Sequence, residues 1–314
     1  MAAAAPLGCR LTRLACLVLL ALLPGLPAET LSTNRTHFVI LSGLGGEPLY
    51  EKRFADQVKD LEKVVRRNAG DASLVHVLSG ESATRKAIED LFGRLKKDVA
   101  PEDSLAVILL GHGSYDGYDY KLNIPGPDIT GARLKILFDG VPAERQLVVN
   151  TTSASGAVIE QWKTDKRIVA AATKSGRERT ATMFAQFWVE ALSSAEADTD
   201  KSESITAEEA YNYAERKVKD FYESAMRLAT EHSRLEGELA GSFTLARLGK
   251  ALEAAADPAT RELMGRREAL EQQVGALKLR KESMAEEQYF DELQEVLIEL
   301  AQLQAKIDDA LGQP

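Results

Sequence analysis

The sequence predicts an α/β protein with a mostly parallel sheet, followed by a C-terminal segment that is helical throughout. Strands alternating with amphipathic helical patterns indicate βαβ units, and glycine becomes rare from about residue 245, where Glu, Leu, Lys, Gln and Ala dominate. Each predicted strand is a short apolar run that ends close to glycine, serine or threonine. These runs lie at 37–42, 74–79, 105–110, 146–151 and 167–172.

The first 28 residues have the pattern of a secretory signal peptide. Arg10 and Arg13 precede an apolar run over 14–23, and residues 24–28, rich in proline and small residues, follow it as the expected cleavage region. The apolar run is too short for a comfortable membrane span. We therefore expect a secreted or periplasmic protein that is cleaved near Ala28 and has no membrane attachment afterwards.

Removal of the signal would also remove both cysteines, Cys9 and Cys16. The mature chain is then expected to form no disulfide, no thiolate metal site and no cysteine nucleophile. The full chain has a net charge of −9, and the loss of the two arginines of the signal makes the mature chain more acidic still. This argues against nucleic-acid binding, which depends on a basic surface. The remaining length suits one large domain over 29–244 and an appended helical segment over 245–314.

Polar residues that are capable of chemistry follow two of the predicted strands. His112 stands in "GHGS" directly after the strand at 105–110, and Ser153 stands in "TTSASG" after the strand at 146–151. Continuous apolar strands indicate a sheet that is buried on both faces, and ligands of such sheets bind beyond the carboxyl ends of the strands. If these two strands are neighbours, His112 and Ser153 lie at the same rim.

Three segments of the chain resemble the caspase-like fold and, within it, the legumain-type peptidases. They are "LLGHGS" (109–114), "QLVVNTTSASG" (146–156) and "IVAAATKSGRERTATMF" (168–184). The resemblance covers roughly residues 36–235 and implies a caspase-like three-layer sandwich. It also implies that His112 is the general acid/base and that the backbone N–H groups of Gly113 and Ser153 form an oxyanion hole.

The chain departs from that family at several positions. The family nucleophile is a cysteine, which here is Ser153, and the acidic residue before the histidine is Gly111. The glutamate two residues before the nucleophile is Thr151, so the substrate pocket also differs. Arg53 is a basic candidate for substrate binding. A hydroxyl is much harder to deprotonate than a thiol, and a serine nucleophile therefore needs a base within hydrogen-bond distance.

Two functions from different classes follow. The first is a secreted pseudo-peptidase that holds a peptide or protein ligand without cleaving it, because the cysteine is replaced by Ser153. The alternative is an active serine-variant endopeptidase or hydrolase, in which Ser153 attacks and His112 is the base. A purely structural interpretation makes His112 a turn residue and Ser153 the cap of the following helix.

An acidic stretch over 198–209, "DTDKSESITAEE", matches several positions of a calcium-binding loop. The residues at loop positions 1, 3, 5 and 12 are Asp198, Asp200, Ser202 and Glu209. Position 6, where a glycine makes the sharp turn, is Glu203. The same stretch also has the pattern of a helix start with Thr206 as N-cap. Calcium is the one cofactor that the sequence suggests.

The C-terminal segment has two leucine-rich stripes with seven-residue steps. The stripes are Leu263, Leu270 and Leu277, and Leu293, Leu300 and Ile307. This spacing is typical of narrow helix-on-helix seams. It predicts a helical hairpin or a coiled coil, which would mediate self-association or bind a partner protein. The alternative is a helical brace that packs on its own domain.

Overall fold

The computed structural model describes Met1 and residues 35–311. The predicted signal peptide, its cleavage site and both cysteines therefore lie outside the described residues. Among the residues that are described, no helix combines the length and apolar character needed to cross a membrane.

Eleven strands and nine α-helices are found in the described part of the chain. The strands are β1 (Thr36–Ser42), β2 (Val75–Ser79), β3 (Ser104–Leu110), β4 (Gly113–Tyr115), β5 (Tyr120–Leu122), β6 (Ile129–Thr130), β7 (Arg145–Asn150), β8 (Arg167–Ala171), β9 (Ser204–Thr206), β10 (Arg234–Glu236) and β11 (Thr244–Arg247). The helices are α1 (Pro48–Ala69), α2 (Arg85–Asp98), α3 (Gly131–Asp139), α4 (Ile159–Trp162), α5 (Phe184–Ala191), α6 (Ala207–Ser224), α7 (Gly249–Ala254), α8 (Pro258–Arg280) and α9 (Glu286–Leu311).

The central sheet has six strands in the order β10-β8-β7-β3-β1-β2. Five of them are parallel, and β10 pairs antiparallel with β8 at one edge. All five strands predicted from the sequence are present in this sheet. The predicted neighbours β3 and β7 are hydrogen-bonded partners, with Leu109 opposite Asn150. The α/β class with a mostly parallel sheet is confirmed.

Helices cover both faces of this sheet, which gives three layers. Side chains such as Ile40 and Ile108 point into a core formed with α1, α5 and α6. Their neighbours Val39 and Val107 point to the opposite core, which α2, α3 and α4 close. Both faces of the central strands are therefore buried, and this explains why the strands are continuously apolar rather than alternating.

The C-terminal segment is an antiparallel helical hairpin of α8 and α9. Arg267 in α8 donates to Gln304 in α9 at 3.3 Å, and Met264 and Ile307 belong to a separate small core. The hairpin alternative of the sequence analysis is thus confirmed. The predicted boundary at residue 245 falls inside β11, which pairs with β9.

The hairpin also packs on the α/β domain, although α9 keeps an apolar face in solvent. Gln272 in α8 donates to the Ser242 carbonyl at 3.0 Å. On α9, Phe290, Leu297 and Ile298 are large apolar side chains that remain exposed. Association with another chain through these helices stays a prediction.

Acid sensitivity is expected from Asp103, a buried carboxylate that precedes β3. It accepts hydrogen bonds from Arg35 Nη2 at 2.9 Å and from the Ala100 N–H at 3.0 Å, and His37 Nε2 lies 3.5 Å away. Burial by itself raises the pKa of Asp103, but the nearby His37 and the hydrogen bonds from Arg35 and the backbone outweigh it and hold the pKa well below its usual value.

A folded-state pKa that lies below the unfolded value stabilises the protein above the unfolded pKa of about 3.9, and this contribution is lost as the pH falls. We expect the free energy of unfolding of Asp103→Asn, measured by urea denaturation, to be lower than that of the wild type at pH 7. The difference should shrink towards pH 3. Unfolding free energies that stay a constant distance apart over this range would contradict the assignment.

Candidate functional site

The carboxyl ends of β3 and β7 bring the two polar segments to one rim of the sheet. The Thr151 N–H donates to the Leu109 carbonyl at 3.0 Å, which continues the ladder for one residue past β7. Beyond that point Gly113, the first residue of β4, lies directly against Ser153. His112, Gly113 and Ser153, the residues predicted to act together, therefore lie at the same edge.

Ser153 is buried, with 3% of its surface exposed. Its hydroxyl donates to the Gly113 carbonyl at 3.0 Å, and the Gly113 N–H lies 3.3 Å from the same oxygen. The backbone donor that the resemblance assigns to an oxyanion hole thus faces the serine oxygen itself. In this arrangement both groups satisfy each other.

His112 is held on the other side of the rim. Its Nε2 lies 3.2 Å from the Gly45 carbonyl, a contact in which the ring N–H donates. The edges of Tyr50 and Phe54 in α1 pack on the ring, with centroids 4.9 and 5.1 Å away. Within residues 35–311, no hydrogen bond joins His112 to Ser153, so the base-to-nucleophile contact of a serine hydrolase is not formed.

The missing acidic residue before His112 has a backbone explanation. Gly111 has a φ of +120°, and a Cβ at this position would lie 3.2 Å from the Gly43 nitrogen. Residues with a side chain rarely adopt this conformation. The backbone conformation at Gly111 therefore disfavours an aspartate or glutamate at this position.

Asp116, an acid near His112 in sequence, belongs to its own loop. It accepts hydrogen bonds from the Tyr118 and Asp119 N–H groups at 3.0 and 2.9 Å and from Lys121 Nζ at 3.0 Å. These bonds, the backbone bond from Asp119 first, hold the pKa of Asp116 well below its usual value. The carboxylate is occupied within the loop and does not orient the imidazole.

Arg53 lies in α1 and binds a backbone segment near the rim. Its guanidinium donates to the Thr182 carbonyl, and the Thr182 hydroxyl donates to the Thr151 carbonyl at 2.5 Å. Arg53 thus connects α1 to the residues that precede Ser153. Its role in substrate binding stays a prediction.

Two acidic residues that the sequence analysis did not select also hold this rim. Glu231 is buried and accepts hydrogen bonds from the Met183 and Phe184 N–H groups at 2.7 and 3.1 Å, which fixes the start of α5. Burial raises the pKa of Glu231, against the effect of these hydrogen bonds. Glu231 stands in no recognisable motif, so the sequence held no signal for it.

The second residue is Glu178, which lies directly over the Ser153 turn. Its carbonyl accepts the Ala154 N–H at 2.7 Å, where Ala154 has a left-handed φ of 57°. Its carboxylate contacts His232 Nδ1 at 2.6 Å and the Lys174 N–H at 3.0 Å. The loop over 173–183 is thereby fixed against the turn that carries Ser153.

The predicted calcium loop makes the sharp turn without a glycine. Lys201 and Glu203 adopt left-handed φ values of 62° and 56°, and the carboxylates of Asp198, Asp200 and Glu209 lie within 4.8 Å of one another. Ser202, the fourth predicted ligand, donates its N–H to Asp198 Oδ1 at 3.0 Å.

The same loop also forms the predicted helix start. The Thr206 side chain caps α6, and the Glu209 carboxylate accepts a hydrogen bond from the Thr206 N–H at 3.0 Å. The other Glu209 oxygen accepts the Thr199 N–H at 2.9 Å. The carboxylates thus have protein partners, and calcium binding stays a prediction.

Comparisons with known proteins give only distant similarity. No protein-family model matches the sequence, and neither does any curated protein. The chain is similar to the solved structure of protein GSU0716 from Geobacter sulfurreducens, at 14% identity and a TM-score of 0.47, over 68% of this chain and 97% of that one. It is also similar to the Drosophila initiator caspase Dronc, at 9% identity and a TM-score of 0.42, over 65% of this chain and 80% of that one. These values establish no family for the chain.

Proposed function

We propose that this protein is a secreted, non-catalytic relative of the caspase and legumain peptidases, and that it binds a peptide or protein at the rim around Ser153. The observation that supports the proposal is that the Ser153 hydroxyl is hydrogen-bonded to both backbone groups of Gly113. The buried hydroxyl donates to the Gly113 carbonyl, while the His112 Nε2 contacts the Gly45 carbonyl instead.

The chemistry of serine supports this assignment. A serine attacks only when a base accepts its proton as the bond forms, and that base is itself oriented by a third group. Here the proton is directed at a backbone carbonyl, which is a poor base, and the oxyanion donor faces the serine oxygen. A polar rim that no longer performs acyl transfer still offers backbone and side-chain groups to a ligand.

The charges at the rim favour an acidic ligand. Arg177 and Arg179 are exposed on either side of Glu178, whose carbonyl is bonded to Ala154. Among the described residues, no carboxylate lies within ion-pair distance of these two arginines. In a chain with a net charge of −9, two such cations beside the rim form a local site for an Asp- or Glu-rich peptide.

A fluorophosphonate probe, which labels activated serines, tests the absence of catalysis. We expect the purified protein to be labelled no more than Ser153→Ala, while an active serine hydrolase in the same assay reacts fully. Labelling at Ser153 would instead identify the serine hydrolase alternative.

Fluorescence anisotropy with Glu-rich and Lys-rich peptides of equal length tests the binding part. The Glu-rich peptide should bind more tightly at low salt, and Arg177→Glu combined with Arg179→Glu should abolish its binding. The matched control is Lys96→Glu with Lys97→Glu, which makes the same charge change at the exposed end of α2. Equal losses in both double variants would rule out the rim as the binding site.

A further inference from the structure

A second candidate site lies at the opposite end of the sheet. A cavity of about 640 Å³ is enclosed by the amino ends of β7 and β8, the segment over 237–243 and one face of α8. Its volume falls in the range of small-molecule sites. β7 runs from Arg145 at this cavity to Asn150 near Ser153, and the five residue steps between them span roughly 17 Å.

The walls of the cavity are mainly apolar. Ile168 and Phe243 are buried behind it, and Leu239 packs beside them. On the α8 side, Ala276 and Leu279 face the same space, and Leu279 is a large apolar side chain that is 51% exposed. Such a surface gains free energy when an apolar ligand displaces water from it.

The rim of the cavity is basic. Five cationic and two anionic side chains line it, although the whole chain is acidic. Lys163 is paired with Glu160 at 2.7 Å, and Arg167 is paired with Asp139 at 2.8 Å. For the other three, Arg145, Lys166 and Arg280, no carboxylate in residues 35–311 lies within ion-pair distance.

Arg145 is the unpaired cation with the most defined position. Its Nε donates to Ser104 Oγ at 3.0 Å and its Nη2 donates to the Glu102 carbonyl at 2.7 Å. These two bonds fix the guanidinium plane while supplying no negative charge. Burial lowers the pKa of Arg145, and the more distant charges of Glu268, Asp103 and Glu144 oppose this only in part. An anion in direct contact with the guanidinium would favour its charged form.

We propose that this cavity binds an amphipathic carboxylate, with the anionic group at the Arg145 guanidinium and an apolar chain against Phe243 and Leu279. The combination of one positioned, unpaired arginine and an apolar wall selects this chemistry. A fully polar anion would leave the apolar wall in contact with water, and an uncharged apolar molecule would leave the guanidinium without an opposite charge. The proposal does not depend on the function assigned to Ser153.

Isothermal titration of the purified protein with three probes of equal chain length tests the ligand class. The probes are octanoate, octanol and octylammonium. Octanoate should bind at a single site, octanol about tenfold more weakly because it lacks the charge-assisted bond, and octylammonium without detectable heat. Octanol binding as tightly as octanoate, or an absence of octanoate binding, would overturn the proposal.

Variants locate the site. Arg145→Gln should weaken octanoate binding about tenfold and leave octanol unchanged, whereas Arg94→Gln, an exposed arginine on α2, should leave both unchanged. Ala276→Trp places a large side chain at an exposed position that lines the cavity and should block both probes.

Circular dichroism checks that each variant is folded. If Arg145→Gln fails to fold, Ala276→Trp still decides the question. Octanoate affinity that is unchanged in Ala276→Trp would place the ligand elsewhere and refute the site.

Discussion

Gly113→Val is expected to lower the free energy of unfolding by about 3 kcal/mol, at the upper end of the cost of overpacking. A Cβ at this position would lie 2.5 Å from Thr152 Oγ1 and 2.7 Å from Tyr120 Cε2, and it would also overlap the Ser153 carbonyl. The turn after β7 must then move away from β4. Urea denaturation followed by circular dichroism measures the change.

Gly93→Ala is the matched control because Gly93 lies inside α2 with no atom near the position of a Cβ. This substitution removes backbone freedom from the unfolded chain and should raise the free energy of unfolding by up to about 1 kcal/mol. The two glycine substitutions thus have opposite expected signs. A Gly113→Val protein as stable as the wild type would show that β4 does not pack on the Ser153 turn.

Arg167→Ala is expected to lower the free energy of unfolding by about 3 kcal/mol, because buried hydrogen-bond acceptors that lose their donor each cost about 1–3 kcal/mol. Arg167 is only 1% exposed. Its guanidinium donates to Asp139 at 2.8 Å, to Gln146 Oε1 at 2.8 Å and to the Trp162 carbonyl at 3.0 Å. Removal of the side chain leaves the buried Gln146 and Trp162 oxygens without this donor and opens a void beside Phe138. Asp139 is 41% exposed and keeps its pairing with Lys135.

Lys52→Ala provides the comparison for Arg167→Ala. Lys52 and Asp56 form an ion pair on the solvent side of α1, with both side chains more than half exposed. Such pairs contribute about 0–1 kcal/mol, so Lys52→Ala should change the unfolding midpoint little. Similar losses in the two variants would mean that Arg167 is solvated and that its bonds are not part of the core.

The central sheet was predictable because its strands are buried on both faces. The central residues of β3, such as Val107 and Ile108, are apolar on both faces because helices cover both sides of the sheet. Such a continuous apolar run can be recognised in a single sequence. The edge strand β10 was not predicted. It spans only Arg234–Glu236, and its charged ends give no apolar signal.

The position of the candidate site was also predictable, because the carboxyl ends of the neighbouring parallel strands β3 and β7 lie at the same edge of the sheet. The partners of each group were not. His112 bonds to Gly45 across 67 positions, and Glu178 meets His232 across 54. Contacts over such separations depend on how the loops pack against the folded sheet. Local sequence patterns therefore do not predict them.

The order of strands in the central sheet has a consequence for how the chain reaches its native state. β1 lies between β2 and β3, and the edge is completed only by β10. The Arg247 N–H donates to Asn68, a bond that spans 179 positions. The conformational entropy of such a long loop is lost before its contacts can stabilise the fold, and folding is slow for this reason. A chain that is synthesised from its N-terminus would therefore be unable to complete the central sheet until β10, at Arg234–Glu236, has been made.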